Sequence, residues 1–191
     1  MIPPGLSFIA MSEKAWEAAE KSNLPKFYLN LKSYRKSLLT NSNPYTPAVN
    51  LVFALDEALK MMREEGLDNI FQRHNKHKLA MSNAVKALNL KLFADEKYLS
   101  PSITAIKTEG MDAEEFRKTI KNNFDILLAG GQDHLKGKIF RVGHLGYVND
   151  RDIVTVISAI SNTLLELNKI TAQQAGEALA VASTYLEGKL N

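Results

Sequence analysis

The sequence predicts an α/β protein whose second half is a small α+β domain, a mixed sheet packed on helices. Three observations carry this reading. From Leu90 onward, short apolar runs alternate with stretches of helical spacing and give the order β-β-α-β-β-α-α. Before Leu90, two long apolar stripes recur at helical spacing. Within the second half, Gly130 to Gly146 reads as a short strand, Lys138–Val142, set between glycine-rich turns and carrying Arg141 near its end.

Composition limits what such a chain can do. Its 191 residues allow one large domain or two small ones. Hydrophobic residues make up 45% and charged residues 24%, as in an ordinary globular protein. The net charge is only +3, and the basic residues are scattered, so a nucleic-acid partner is not expected. The absence of cysteine excludes disulfides, a thiolate nucleophile and Cys-ligated zinc. It also fits a reducing compartment, and a cytoplasmic location is expected. No apolar run reaches the roughly 18 residues of a membrane span, and no basic region followed by an apolar one marks a signal peptide. A membrane partner is therefore not expected.

Taken in order, Met1-Ile2-Pro3-Pro4-Gly5 leads at once into Leu6–Met11, read as a buried strand. A natural chain can begin this way; the start also looks like a cut made just before a core strand. Ser12 is a fitting N-cap for a helix to about Lys21, with Glu13 in the first turn and Trp16 as a packing residue. Residues 27–39 read as a helix or irregular turn, and Asn41–Pro47 as a loop. Pro47 then suits the first turn of a helix whose stripe is Val49, Val52, Phe53, Leu55, Ala58, Leu59 and Met62. Gly66 ends it, and Asp68 is the expected N-cap of the next helix, which buries Ile70, Phe71, Leu79, Ala80, Ala84, Val85 and Leu88. A domain boundary is expected between Gly66 and Phe71, giving domains 1–70 and 71–191.

In the second domain, Lys91–Phe93 and Ile103–Lys107 read as strands, and Asp112 caps a helix to about Asn123. Asp125–Ala129 reads as a third strand and Lys138–Val142 as a fourth. Asn149 or Asp150 caps a helix carrying Ile153, Val156, Ile157, Ile160, Leu164 and Leu167. An alanine-rich helix over Thr171–Leu186 closes the chain.

Arg141 offers a planar, permanently charged fork that suits a carboxylate. His134 and His144 flank it, and each can either reach a site beside it or bond only backbone. His74 and His77 lie three apart and share a helix face, but no third metal ligand accompanies them, so a solvated surface pair is the plainer reading. The same holds for Glu64-Glu65 and Glu114-Glu115. Thr46 and Asn43 sit in a polar loop that runs into a helix N-terminus, where backbone N–H groups can hold a phosphate; an ordinary helix entry also explains them. Neither a GxxxxGK[ST] loop nor a GxGxxG turn opening a βαβ unit is present, which excludes those nucleotide sites.

The run Gly130-Gly131, Gly137-Lys138 and Arg141-Val142-Gly143-His144-Leu145-Gly146 closely resembles the C-terminal motif of class V, fold-type I aminotransferases. The alanine–glyoxylate and serine–glyoxylate (serine–pyruvate) enzymes are the nearest in kind, with cyanobacterial relatives called the small subunit of soluble hydrogenase. Pro3-Pro4-Gly5, Thr46-Pro47, Arg73-His74 and Leu99-Ser100-Pro101-Ser102-Ile103-Thr104-Ala105 agree in order and spacing, up to about Leu165.

The resemblance implies a pyridoxal 5'-phosphate enzyme that transfers an amino group between a small amino acid, alanine or serine, and glyoxylate or pyruvate. It implies a homodimer. Arg141 matches the arginine that binds the substrate α-carboxylate. Thr46 matches the residue that contacts the cofactor phosphate of the neighbouring subunit, with Asn43 beside it and Tyr45 as the runner-up. The Schiff-base lysine of the family precedes the Pro-Pro-Gly motif, and no lysine here holds that position. The chain is thus expected to be the C-terminal part of such an enzyme, 1–70 being a remnant of the large domain, and to be inactive alone. The other reading is a non-catalytic accessory or assembly subunit on the same scaffold.

Overall fold

The computed structural model describes residues 2–188. They form two compact units, Met1–Glu64 and Glu65–Asn191.

The first unit holds α1 (Glu13–Lys21), α2 (Leu31–Leu38) and most of α3 (Val49–Glu65). Ser12 caps α1 by accepting from the Ala15 amide, and Asn30 caps α2 by accepting from Lys32. Helix α3 starts two residues after Pro47, whose ring pre-sets the approach but lies outside the first turn. The stripe of α3 is not buried as expected: only Ala58 is, while Phe53 is 71% exposed. The expected strand over Leu6–Met11 is an extended segment that joins no sheet. Extended backbone needs a neighbour to take its N–H and C=O groups, and no described segment supplies one. What orders this unit is local. The Tyr45 ring lies 4.9 Å from Tyr28 and 5.6 Å from Phe27, and Arg35 stacks 4.6 Å over Trp16.

The second unit begins with α4 (Leu67–Ala87). Gly66 at φ 83 is its N-cap, and Asp68 lies in the first turn, where its charge meets the helix dipole but its side chain caps nothing. The sheet consists of β1 (Lys91–Leu92), β2 (Ile103–Lys107), β3 (Ala129–Gly130) and β4 (Ile139–Gly143) in the order β1-β2-β4-β3. All three pairings are antiparallel, where a mixed sheet was expected. The reason is topological: β2 and β3, joined through α5 (Ala113–Phe124), run parallel, but β4 is inserted between them, so no parallel ladder forms. The third strand is shorter than the sequence implies, because Asp125 adopts φ 55 to end α5 and the chain joins the ladder only at Ala129.

Helices α6 (Asp150–Glu166) and α7 (Ala172–Leu186) complete the unit, each started by a reciprocal capping box, Asn149 with Asp152 and Thr171 with Gln174. The core lies between one sheet face and the helices. Phe140 and Val142 of β4 and Thr104 and Ile106 of β2 point into it, and Phe140 meets Phe116 of α5 at 5.1 Å. Small residues let α7 lie close on α4, with Ala178 and Ala182 fully buried, as are Ala80 and Ala84.

Candidate functional site

Alternation along β4 decides where Arg141 goes. Phe140 and Val142 take the core face, so Arg141 takes the other. Its register partners on both sides are alanines, Ala105 of β2 and Ala129 of β3. A methyl group on each flank leaves room beside the long side chain, which is half-buried. Its Nε donates to the Gly130 carbonyl at 2.9 Å. Neither Nη atom makes a hydrogen bond or ion pair with a described residue. The guanidinium is therefore fixed by one edge and presents its other donors outward, the arrangement a carboxylate takes up with two parallel bonds.

The glycines beside it have distinct reasons. A Cβ on Gly131 would sit 2.1 Å from the Leu135 carbonyl, so the turn from β3 to β4 excludes any side chain there. A Cβ on Gly130 would meet the ends of Arg117 and Glu114, which pair with each other at 2.8 Å. Glu114 is thus engaged rather than simply solvated.

The other motifs converge beyond the end of β4. His144 is completely buried: Nδ1 donates to the Pro101 carbonyl at 3.1 Å, and Nε2 accepts from the Thr104 hydroxyl at 2.9 Å. Loss of hydration pushes its pKa down to about 4, so the ring is neutral at pH 7. It bonds inward and is a structural histidine; His134 is exposed in a 3-10 turn. His74 and His77 are buried, contrary to the surface pair expected. His74 donates from Nδ1 to Ile70 O (2.8 Å) and accepts the Gly146 amide at Nε2 (3.1 Å). His77 donates to Asp150 at 2.9 Å, and burial lowers its pKa despite that carboxylate. Asp150 is desolvated, which raises its pKa, but bonds from Lys76 and His77 outweigh this and leave it lowered.

Arg73 joins the same region. It clasps Glu65 through Nε (2.5 Å) and Nη2 (2.9 Å), which lowers the carboxyl pKa. Its Nη1 donates to the carbonyls of Gly146 (3.0 Å) and Val148 (2.8 Å). These partners lie more than 70 residues away, so the sequence alone gave no sign of them. Among the described residues there is no cluster able to hold a metal ion, and no helix is long and apolar enough to cross a membrane.

In the first unit, Asn41–Pro47 and Tyr28 line an open depression of about 930 Å³. Asn43 and Thr46 are exposed there, just ahead of α3, and their side chains have no partner among the described residues. A hydroxyl, an amide and the free N–H groups of a helix start suit a phosphate. Tyr45 is different. Its hydroxyl donates to Phe27 O at 3.0 Å and its ring packs among Phe27, Tyr28 and Tyr34, which commits its proton to the loop itself.

No family model matches the chain. It is 53% identical over 186 residues to the small subunit of soluble hydrogenase from a Synechococcus species, covering 97% of this chain and 48% of that protein. It is 34% identical to serine–glyoxylate aminotransferase of Methylorubrum extorquens, again over 97% and 48%. The crystal structure of ureidoglycine–glyoxylate aminotransferase from Bacillus subtilis superposes with a TM-score of 0.88 at 30% identity, over 97% of this chain and 49% of that one. The chain spans about half the length of the curated relatives it matches. Over nearly its whole length, the chain is similar to about half of class V, fold-type I aminotransferases, as a C-terminal portion would be, and it shares the fold of that half.

Proposed function

We propose that this chain is the C-terminal part of a pyridoxal-phosphate aminotransferase that moves an amino group between a small amino acid, alanine or serine, and glyoxylate or pyruvate. The observation that carries this is Arg141: one guanidinium edge anchored on Gly130, the other without a partner among the described residues, between two alanines on the sheet face away from the core. Donor and acceptor each bear an α-carboxylate, so one arginine serves both half-reactions. By holding the carboxylate in two parallel bonds, Arg141 fixes the plane of the substrate and the direction of its α-carbon. Ala105 and Ala129 keep that approach clear.

Bound pyridoxal phosphate supplies the electron sink for transamination. Thr46 and Asn43 bind its phosphate across a homodimer. The lysine that carries the cofactor lies in the part of the relatives this chain does not span, so the chain alone is inactive. Domains 1–70 and 71–191 are then the end of the large domain and the small domain, in a cytoplasmic enzyme.

The test has two parts. Pyridoxal phosphate added to the purified chain, followed by borohydride reduction and peptide mapping, should give no visible absorbance band and no singly labelled lysine. A stoichiometric label on one lysine would show a cofactor site within this chain. In the longer protein, Arg141→Ala should weaken substrate binding by about 2–4 kcal/mol; unchanged KM and kcat would remove the clamp role.

A second reading is favoured by the Synechococcus relative, a hydrogenase small subunit by name: an accessory or assembly subunit without chemistry of its own. An upstream reading frame continuous with Met1 and encoding the cofactor lysine would exclude it.

A further inference from the structure

The β3 side of β4 ends early. Beyond Arg141, residues Val142 and Gly143 pair only with β2, because β3 stops at Ala129 opposite Arg141. The backbone that follows is held instead by side chains of α4. Residues 73, 74, 76 and 77 fall on one helix face. Arg73 takes the carbonyls of Gly146 and Val148, His74 takes the Gly146 amide, and Lys76 and His77 take Asp150. His144 ties the near end to Pro101 and Thr104.

We propose that Arg73 and His74 are positioning residues for Arg141: they replace the missing ladder beyond β3 and so fix the strand end from which the guanidinium projects. The functional meaning rests on the carboxylate role given above to Arg141; the mechanical claim does not. His74 can hold Gly146 only while Nε2 is an acceptor. The groups around His74 are Arg73, Lys76 and His77 on its own helix, Glu65 at the end of α3, His144 after β4 and Asp150 opening α6. The hydrogen bonds of Asp150 and His144 go elsewhere, to Lys76 and His77 and to Pro101 and Thr104, and His77 meets Asp150 through Nε2, so His74 Nε2 is the side-chain acceptor that the Gly146 amide uses.

The experiment is amide and guanidinium hydrogen exchange on this 191-residue chain by NMR, read as protection factors at one pH. The variants are Arg73→Lys, His74→Leu and His74→Gln; glutamine keeps an uncharged acceptor near the Nε2 position. Arg73→Lys and His74→Leu should lower protection of the Gly146 amide and of the Arg141 Nε–H by about tenfold, with Ala80 and Ile157 in the core unchanged. His74→Gln, which keeps an acceptor, should restore Gly146 protection. The proposal is overturned if Arg141 Nε–H protection does not follow Gly146, if the core amides lose protection equally, or if His74→Gln loses Gly146 protection as fully as His74→Leu. None of these readouts uses a substrate. A separate pyruvate titration with an Arg141→Ala control reports on the carboxylate reading alone.

Discussion

Acidification should destabilise the second unit through His144, and the size of the effect follows from its surroundings. The ring is fully buried, with both nitrogens engaged in its neutral form. Desolvation holds its pKa at about 4, against 6.5 for the free side chain. The folded chain thus binds this proton less tightly than the unfolded one. Stability from this group is complete above pH 6.5 and is lost as pH falls toward 4, where the loss levels off. A gap of about 2.5 units at 1.36 kcal/mol each gives about 3 kcal/mol. The assay is urea unfolding followed by circular dichroism from pH 7.5 to 4, comparing the wild type with His144→Asn. Asparagine can still donate to Pro101 but does not titrate. The variant should start about 1–3 kcal/mol lower at pH 7.5, having lost the Thr104 bond. The gap between the two proteins should close by about 3 kcal/mol on reaching pH 4. Parallel stability curves would refute a buried neutral His144.

Three further substitutions test the frame that holds Arg141. Gly131→Ala places a methyl group 2.1 Å from the Leu135 carbonyl and should cost at least about 2 kcal/mol or break the β3–β4 turn; an unchanged denaturation midpoint would contradict the close approach. Phe140→Ala removes a fully buried ring that packs on Phe116 and should cost about 3–5 kcal/mol in the same assay, a loss under 1 kcal/mol being the contrary result. Asn149→Ala removes the acceptor of the Arg151 and Asp152 amides and should cost about 0.5–2 kcal/mol, read as earlier exchange in the first turn of α6, whereas unchanged exchange there would contradict the cap.

What could be read from the residues alone was what residues do locally. Ser12, Asp112 and Asn149 announce helix starts because a short polar side chain satisfies amides two or three residues on. Arg141 stood out between its glycines, and the β-β-α-β-β-α-α order follows from the switches in apolar period. The strand expected over Leu6–Met11 failed for the opposite reason: an apolar run states that a strand is possible but not what pairs with it. Phe71 illustrates the same limit on a helix, being 64% exposed although it continues the stripe. His74 and His77 were misread because burying an imidazole depends on partners that lie far along the chain, Gly146 and Asp150. The alanines beside Arg141 carry no signal until the strand register places them there.

Helix α7 has a consequence for how the protein is made. It packs against both α4 and α6, and Ala178 and Ala182 help close the core. It also comes later in the chain than every element it covers. The apolar face of α4 therefore has to wait, uncovered, while the sheet and α6 are synthesised, and the second unit reaches its final packing only once α7 has left the exit tunnel. The interval before α7 arrives is when the nascent second unit is most open to chaperones and to aggregation.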